Sequence, residues 1–445
     1  MDRNIALENL RTIPEDLQKR IDYGIETYRK GRANILVTDS LGNPVKDAQI
    51  RFNQVGHEFK FGANLFMLDE LETEEKNQKY KELFKDVFNI ATLPFYWDSL
   101  EPEKGKPRYD KNSPGVYRRP SPDLCVEFCE ENGIEPREHA LAYDGFYPKW
   151  LYDADVQTCK MELSRRMKEI GERYGSKIPT MEVTNESWWN EGKTAIYEED
   201  DYVEWCFKEA RRHMGANKLA INETSRVWKA KGNNRDEYYM QIERALMKGA
   251  PIDAIAMQYH IFCQREDEPE YTKRAYNPEH LYKIMDSYAK FGKPLQVSEV
   301  TIPAYSWEKE DEEFQAEIVK RLYTIWFSHP AVEQIIYWNL PDGYAHVWNV
   351  EDIEKSMGDM TRGENVYYGG LMRFDMTPKP AYNTIKDLVK REWHTEGTGT
   401  TDAGGNVSFR GFYGEYELEI TSNGKTVTKK INLSKDCKNK FAVEI

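Results

Sequence analysis

The spacing of hydrophobic positions changes its period along this chain. Leu17, Ile21, Ile25 and Tyr28 recur at helical spacing, and Thr12 with Glu15 three residues on reads as a capping box. The pattern predicts a helix over 12–30. After Gly31 the period becomes two. Ile35 and Val37 lead into the turn Ser40-Leu41-Gly42-Asn43-Pro44, and Ala48, Ile50 and Phe52 then alternate with Gln49, Arg51 and Asn53. That predicts a β-hairpin over 34–53.

From about 57 to 392 short apolar runs alternate with helical stretches. Strands are predicted at 59–63, 88–92, 134–140, 178–185, 217–221, 252–259, 294–299 and 332–338. Helices fall between them at 73–86, 121–132, 155–174, 201–214, 233–248, 278–290 and 311–327, with a last one at 380–391. Repeated strand–helix units with short apolar strands favour a closed parallel (β/α)8 TIM barrel of the α/β class over an open sheet. The long connection over 93–120 follows the second strand, which puts it at the C-terminal face, where barrel enzymes carry their chemistry.

After Trp393 the period is two again. Tyr416, Leu418 and Ile420 alternate with Glu415, Glu417 and Glu419, Asn423-Gly424 marks a tight hairpin turn, and Val427 to Leu433 form the next strand. This segment and the 34–53 segment each have too few large apolar residues for a core of their own. The economical arrangement is one accessory β-sandwich made from both, interrupted in sequence by the barrel. Val37 to Ala48, V-x-D-x-x-G-x-P-V-x-x-A, resembles the first half of a transthyretin-like or carboxypeptidase-regulatory-like sandwich, and Thr401 to Leu418 resembles the second half. The expected domains are 1–56 (N-terminal helix and first half of the sandwich), 57–394 (catalytic barrel) and 395–445 (second half). Phe409, Phe412 and Tyr413 fit either a glycan-binding face or the core, and a spacer role for the sandwich is favoured.

Composition narrows the partners. A formal charge of −14 argues against nucleic acid or an anionic membrane, both of which select for Lys and Arg. No apolar run is long enough to span a bilayer. The first residues show no signal peptide, which suits either a cytoplasmic protein or the mature form of an exported one. The 6 Cys form no CxxC pair and have no His at zinc spacing, so no metal site and no cofactor are expected, and Cys125 and Cys129 read as reduced packing residues. The 11 Trp and 28 Tyr are more than most chains carry, and aromatic rings can serve as flat platforms for sugars. The expected partner is a polysaccharide or oligosaccharide, and the expected state a monomer.

Two carboxylates stand out by position. Glu186 follows Asn185 at the end of the fourth strand, and Glu299 ends the seventh. A charge closing an apolar strand is expensive in a core but tolerable at a barrel mouth. Strands four and seven can bring such residues face to face across that mouth. Two carboxylates about 5–5.5 Å apart are what a retaining glycosidase needs, one as nucleophile and one as acid/base.

Further motifs, in the same order along the chain, resemble glycoside hydrolase family 10, the endo-β-1,4-xylanase family. They are Phe59-Lys60-Phe61-Gly62-Ala63; Trp97 to Gly105, matching W-x-x-x-E-P-x-x-G; Glu138 to Tyr143 with Pro148-Lys149-Trp150; Thr184-Asn185-Glu186; Gln258-Tyr259-His260; Ser298-Glu299-Val300; and Phe374-Asp375 with Lys379-Pro380-Ala381-Tyr382. The resemblance implies a retaining hydrolase of β-1,4-xylan or a related, decorated hemicellulose. It makes Glu299 the nucleophile and Glu186 the acid/base. Asn185 would bond the 2-OH of the −1 sugar, and His260 would orient Glu299. His139 and Gln258 would line the −1 site, and Tyr143, Trp338 and Trp348 would wall it. Trp188 or Trp189 would offer a platform to the leaving group.

The chain also departs from that family. Where the family carries Glu-Asn and then Lys before the Trp that matches Trp97, this chain has Thr92-Leu93-Pro94-Phe95-Tyr96, so the polar grip on a −2 xylose is missing. The family's acidic residue two after the nucleophile is Thr301, and its Trp after the third strand is Tyr143. Low activity on linear xylan is therefore expected. The alternatives are a related barrel hydrolase acting on a non-xylan β-glycan or an aryl glycoside, and a non-catalytic carbohydrate-binding barrel.

Overall fold

A computed structural model describes residues 3–188, 192–347 and 357–445. It divides into two compact units. One comprises Met1–Ile13, Phe61–Trp326 and Ala331–Asn383, the other Pro14–Lys60, Phe327–Pro330 and Thr384–Ile445.

The first unit holds a closed parallel barrel. Its strands, in order around the ring, are β3 (Lys60–Asn64), β4 (Ile90–Pro94), β5 (Glu135–His139), β6 (Thr180–Asn185), β7 (Lys218–Glu223), β8 (Ala254–His260), β9 (Leu295–Thr301) and β10 (Val332–Tyr337), with β10 returning to β3. The eight strands predicted from apolar runs are these eight. Nearly every strand residue is buried, as expected for parallel strands covered on both faces. The intervening helices start where the sequence offers caps. Thr73, Asp155 and Asn277 accept the N–H groups of Lys76, Thr158 and His280. Several strands end in polar residues, among them Asn64, His139, Asn185, Glu223, His260 and Thr301, so the C-terminal mouth is the polar end of an apolar tube.

The long connection after β4 is stapled near its start. Glu101 accepts from the Trp97 indole at 2.8 Å and from Gly105 N–H at 2.6 Å, and Arg165 Nη2 reaches both of its oxygens, at 2.8 and 2.9 Å. Gly105 sits at φ +79°, which suits glycine. The W-x-x-x-E-P-x-x-G pattern is thus a loop anchor, at the start of the connection that brings Arg118 and Arg119 to the barrel mouth.

The second unit is a two-sheet sandwich. One sheet has the order β12 (Asn406–Phe412), β1 (Lys30–Thr38), β15 (Lys440–Glu444). The other has β11 (Glu396–Thr400), β2 (Gln49–Gln54), β13 (Gly414–Ser422), β14 (Lys425–Leu433). Ile35, Val37, Ile50, Phe52, Leu418 and Ile420 share its core, and the rings of Phe52 and Phe409 stack at 4.0 Å. Phe409 and Phe412 are buried and Tyr413 packs on the core, so these aromatics belong to packing. Asn423-Gly424 turns β13 into β14 as read from the sequence.

Three expectations are corrected. The 34–53 segment is not a hairpin, because β1 and β2 lie in different sheets. Their apolar faces meet across the core, and each strand satisfies its backbone by pairing with C-terminal strands. The helix over 12–30 begins at Glu15 after Pro14, with no side-chain cap, while the Thr12 hydroxyl donates to Glu8. A separate helix, Asn4–Arg11, precedes it and belongs to the barrel unit, where buried Arg3 grips Glu268 at 2.8 and 3.0 Å. Residues 1–13 therefore group with the barrel and 384–394 with the sandwich, unlike the 1–56, 57–394 and 395–445 division. All six cysteines are free.

Candidate active site

A cavity of about 570 Å³ opens among the C-terminal ends of the barrel strands. Eight of the ten sequence-predicted site residues line it: His139, Tyr143, Asn185, Glu186, Gln258, His260, Glu299 and Trp338. Trp188 does not; it lies just past Glu186, with the Arg226 guanidinium 5.8 Å from its ring centre. Trp348 and Trp189 fall outside the described residues.

Glu186 is the first residue after β6 and takes a left-handed conformation, φ +50°. Such a backbone is uncommon for a non-glycine residue and recurs at functional sites. It is held by its own N–H on Asn222 O (3.2 Å). Its carboxylate accepts from Tyr143 Oη at 2.7 Å and Gln258 Nε2 at 2.9 Å, and the same amide also reaches Asn185 Oδ1 at 3.2 Å. The next residue is pinned too, since the Ser187 hydroxyl donates to buried Glu223 at 3.2 Å.

Glu299 lies within β9, two residues before its end, in register with Gln258 on β8. Its Oε1 accepts from Asn222 Nδ2 at 3.0 Å, and its Oε2 lies 3.2 Å from His260 Nε2. Asn222 therefore connects the two glutamates, through its carbonyl to Glu186 N–H and through its amide to Glu299. Burial pushes the Glu299 carboxyl up to about 8, reinforced by Glu182 and Glu186.

Geometry fixes which nitrogen of His260 faces Thr301 with a hydrogen. The Thr301 hydroxyl donates to Trp338 O at 2.8 Å, so its lone pair must accept from His260 Nδ1–H, also at 2.8 Å. Burial drives the His260 pKa down to about 4. A neutral ring with Nδ1 protonated turns a lone pair toward Glu299, so at neutral pH the Glu299 carboxyl donates to it. Thr301 thus orients the ring but adds no charge to it.

A second pair lies deeper. Glu182 on β6 accepts from His139 Nδ1 at 2.8 Å, from Asn222 Nδ2 at 3.1 Å and from fully buried Arg137. Burial alone would lower the His139 pKa, but the Glu182 carboxylate raises it; Arg137 and His139 in turn hold Glu182 below its ordinary value despite burial. His139 Nε2 meets Tyr96 Oη at 3.0 Å. Ligand atoms of His139, Glu182 and Glu299 lie within 4.8 Å of one another, and the Asn222 amide bridges both carboxylates.

Sequence reasoning passed over Arg118, Arg119, Phe146, Phe262 and Glu364 in the lining, and Glu182 and Asn222 beneath it. Asn222 and Glu223 close the apolar run Leu219-Ala220-Ile221, the same signal that marks Glu186. Glu364 and the arginines carry no such signal, because loops bring them in.

A closed parallel barrel with two glutamates on one cavity at its C-terminal mouth has the architecture of a glycoside hydrolase. The chain belongs to glycosyl hydrolase family 10, whose model matches residues 54–388. Endo-1,4-beta-xylanase B of Thermotoga neapolitana is 25% identical over 348 residues, covering 75% of this chain and 88% of that protein. Anti-sigma-I factor RsgI6 of Acetivibrio thermocellus is 25% identical over 411 residues, 90% of this chain and 46% of its own length, so the chain spans about half of that relative. The crystal structure of xylanase 10B from Thermotoga maritima superposes with TM-score 0.57 at 21% identity, over 75% of this chain and 96% of that one, which is a likeness of fold.

Proposed function

We propose that the chain is a retaining glycoside hydrolase, endo-1,4-β-xylanase-like, cleaving β-1,4-xylan or a related hemicellulose by double displacement. The observation that carries this reading is that Glu186 and Glu299 line one cavity and are joined through Asn222. Ionised Glu299 attacks the anomeric carbon while Glu186 gives its proton to the departing oxygen. Glu186 then takes a proton from water, the water attacks the same carbon, and Glu299 leaves as a carboxylate. Asn185 binds the 2-OH, Gln258 and Tyr143 hold Glu186, and His260 orients Glu299. Trp338 walls the −1 sugar, and Trp348 is assigned to the same wall and Trp188 to the leaving-group side. Oligosaccharide is the proposed partner and monomer the proposed state.

The test is NMR of the first-formed product on a panel of plant polysaccharides and aryl β-glycosides. Retained β-configuration is expected, and inversion would refute the assignment. A second reading, a carbohydrate-binding barrel without turnover, is favoured by the naming of a relative that matches 90% of this chain as an anti-sigma factor. Binding of xylo-oligosaccharide with no product after prolonged incubation would decide for it.

A further inference from the structure

The side of the cavity facing Tyr96 carries a feature that plain xylan does not need. Thr92, Leu93 and Phe95, at the positions of the family's −2 grip, are fully buried in packing and present nothing to a sugar. Cations arrive there from the stapled connection instead. The Arg119 guanidinium lies 3.8 Å from the Tyr96 ring centre, and its Nη1 donates to Arg118 O at 2.9 Å. Arg118 takes a left-handed backbone, φ +61°, and is 4% exposed. Its Nη2 donates to Asn339 Oδ1 at 2.9 Å, while its Nε and Nη1 have no partner.

Two adjacent arginines lining a cavity run against the trend of a chain with net charge −14. Glu364 and Asp98 feel their charge, but among the described residues neither guanidinium forms an ion pair. Burial pushes the Arg119 pKa down, with Arg118 adding to the effect and Tyr96 and Asp98 opposing it. A buried donor left unmade costs stability, and Arg118 holds two, on Nε and Nη1. The Nε–H and Nη1–H groups point to different sides of the guanidinium, so each can meet a separate acceptor oxygen, and the charge of the group favours a carboxylate. Lys229, on the Tyr271 ring, and Arg226, beside Trp188, also line the cavity.

We propose that Arg118 and Arg119 form a carboxylate-binding subsite on the cavity wall, and that the glycan this protein takes bears a uronic acid. The inference rests on the glycosidase reading and specifies its substrate class. The subsite replaces a grip on sugar hydroxyls with a grip on an acid, so neutral chains lose affinity at this wall and acidic ones gain it.

The test is calorimetric titration of the Glu186→Gln variant, which spares the ligand from turnover. Four probes are used: a xylo-oligosaccharide with a single glucuronic acid branch, the same compound with its carboxyl reduced to the alcohol, the unsubstituted oligosaccharide, and an oligosaccharide with the uronate in its backbone. An acid should bind roughly 10- to 100-fold more tightly than its reduced counterpart, the range for hydrogen bonds to charged groups. Whichever acidic probe is preferred identifies the source of the carboxylate. Arg119→Gln should bring the ratio near unity, Arg119→Lys should keep part of it, and Arg119→Glu should invert it. Arg119 carries the test because substitution of buried Arg118 risks the fold. Equal affinity for acid and reduced probe in the parent overturns the proposal, as does a preference that survives Arg119→Gln. Tighter binding of a sulfated oligosaccharide than of either acid overturns the carboxylate assignment. If neutral xylan is cleaved with retention and the acid is ignored, this inference alone fails. If no β-xylo-oligosaccharide is bound or cleaved, the glycosidase reading fails, and the backbone-uronate probe still reports on the arginine pair.

Discussion

The floor of the cavity and its Tyr96 wall are built by different rules. The floor consists of strand ends: Asn185 and Glu186 after β6, Asn222 on β7, Gln258 and His260 on β8, Glu299 and Thr301 on β9. Hydrogen bonds run between neighbouring strands there, so each side chain is held by a rigid backbone and at least one partner. The wall consists of Tyr96 from the end of the β4 run and two arginines from a loop, joined by ring stacking and a single backbone bond. Thr301 apart, the floor keeps the motif residues that match family 10, while the wall has lost the matching ones. Chemistry at the anomeric carbon demands fixed geometry, so its residues sit on strands. Recognition of what surrounds that sugar tolerates replacement, so it sits on a loop.

The sharpest way to break the comparison is to remove a floor carboxylate. Glu299→Ala should abolish turnover, since no covalent intermediate can form. Glu186→Ala should lose ~10²–10⁴-fold, least on aryl glycosides with good leaving groups, with rescue by azide that retains configuration. Rates on both substrate types, and the anomer formed in azide, are the measurements. Comparable activity of either variant on natural glycan would end the assignment.

The support beneath the floor should matter next. Glu182→Gln leaves fully buried Arg137 without its counter-ion, and breaking a buried pair costs about 3–5 kcal/mol. Denaturant unfolding should show that loss, and a variant as stable as the parent would mean the pair is not the anchor of the floor.

Titration sharpens the comparison further. With Glu299 near 8, kcat/KM should rise with pH along a limb centred there rather than near 4.5. Thr301→Asp places a charge behind His260, raises the imidazole pKa and draws the Glu299 pKa down, so the limb should move to lower pH. A wild-type limb at 4–5, unmoved by the substitution, would refute the protonation scheme. The same group affects stability. A carboxyl raised in the folded state binds more protons than in the unfolded chain between about 4.5 and 8, so stability falls as pH rises through that window. Glu299→Gln should remove the penalty, gaining ~1–3 kcal/mol at pH 9 and nothing at pH 4, by parallel melts.

The wall should give the smallest effect. Tyr96→Phe deletes the 3.0 Å contact to His139 and keeps the ring under Arg119, so turnover should fall by about fivefold, near 1 kcal/mol. A hundredfold loss on aryl substrates would place Tyr96 with the floor.

The sequence by itself determined the barrel, because parallel strands buried on both faces are runs of apolar residues and the helices between them have period and caps. It determined Glu186 and Glu299, because a carboxylate closing an apolar strand is out of place unless it faces a cavity. It determined that the terminal segments share one core, since neither has the apolar surface to fold alone. Tertiary structure decided the rest. Alternation says which face of β1 and β2 is buried but not which strand each pairs with, so a predicted hairpin became two sheets. Asn222 and Glu182 acquire meaning only when neighbouring strands set them beside Glu299 and His139. Arg118 and Arg119 read as ordinary loop charges until the stapled connection turns them into the cavity. Local pattern records burial and period, which are properties of a segment. Partnership between residues far apart in sequence is a property of the closed barrel, and only the folded chain contains it.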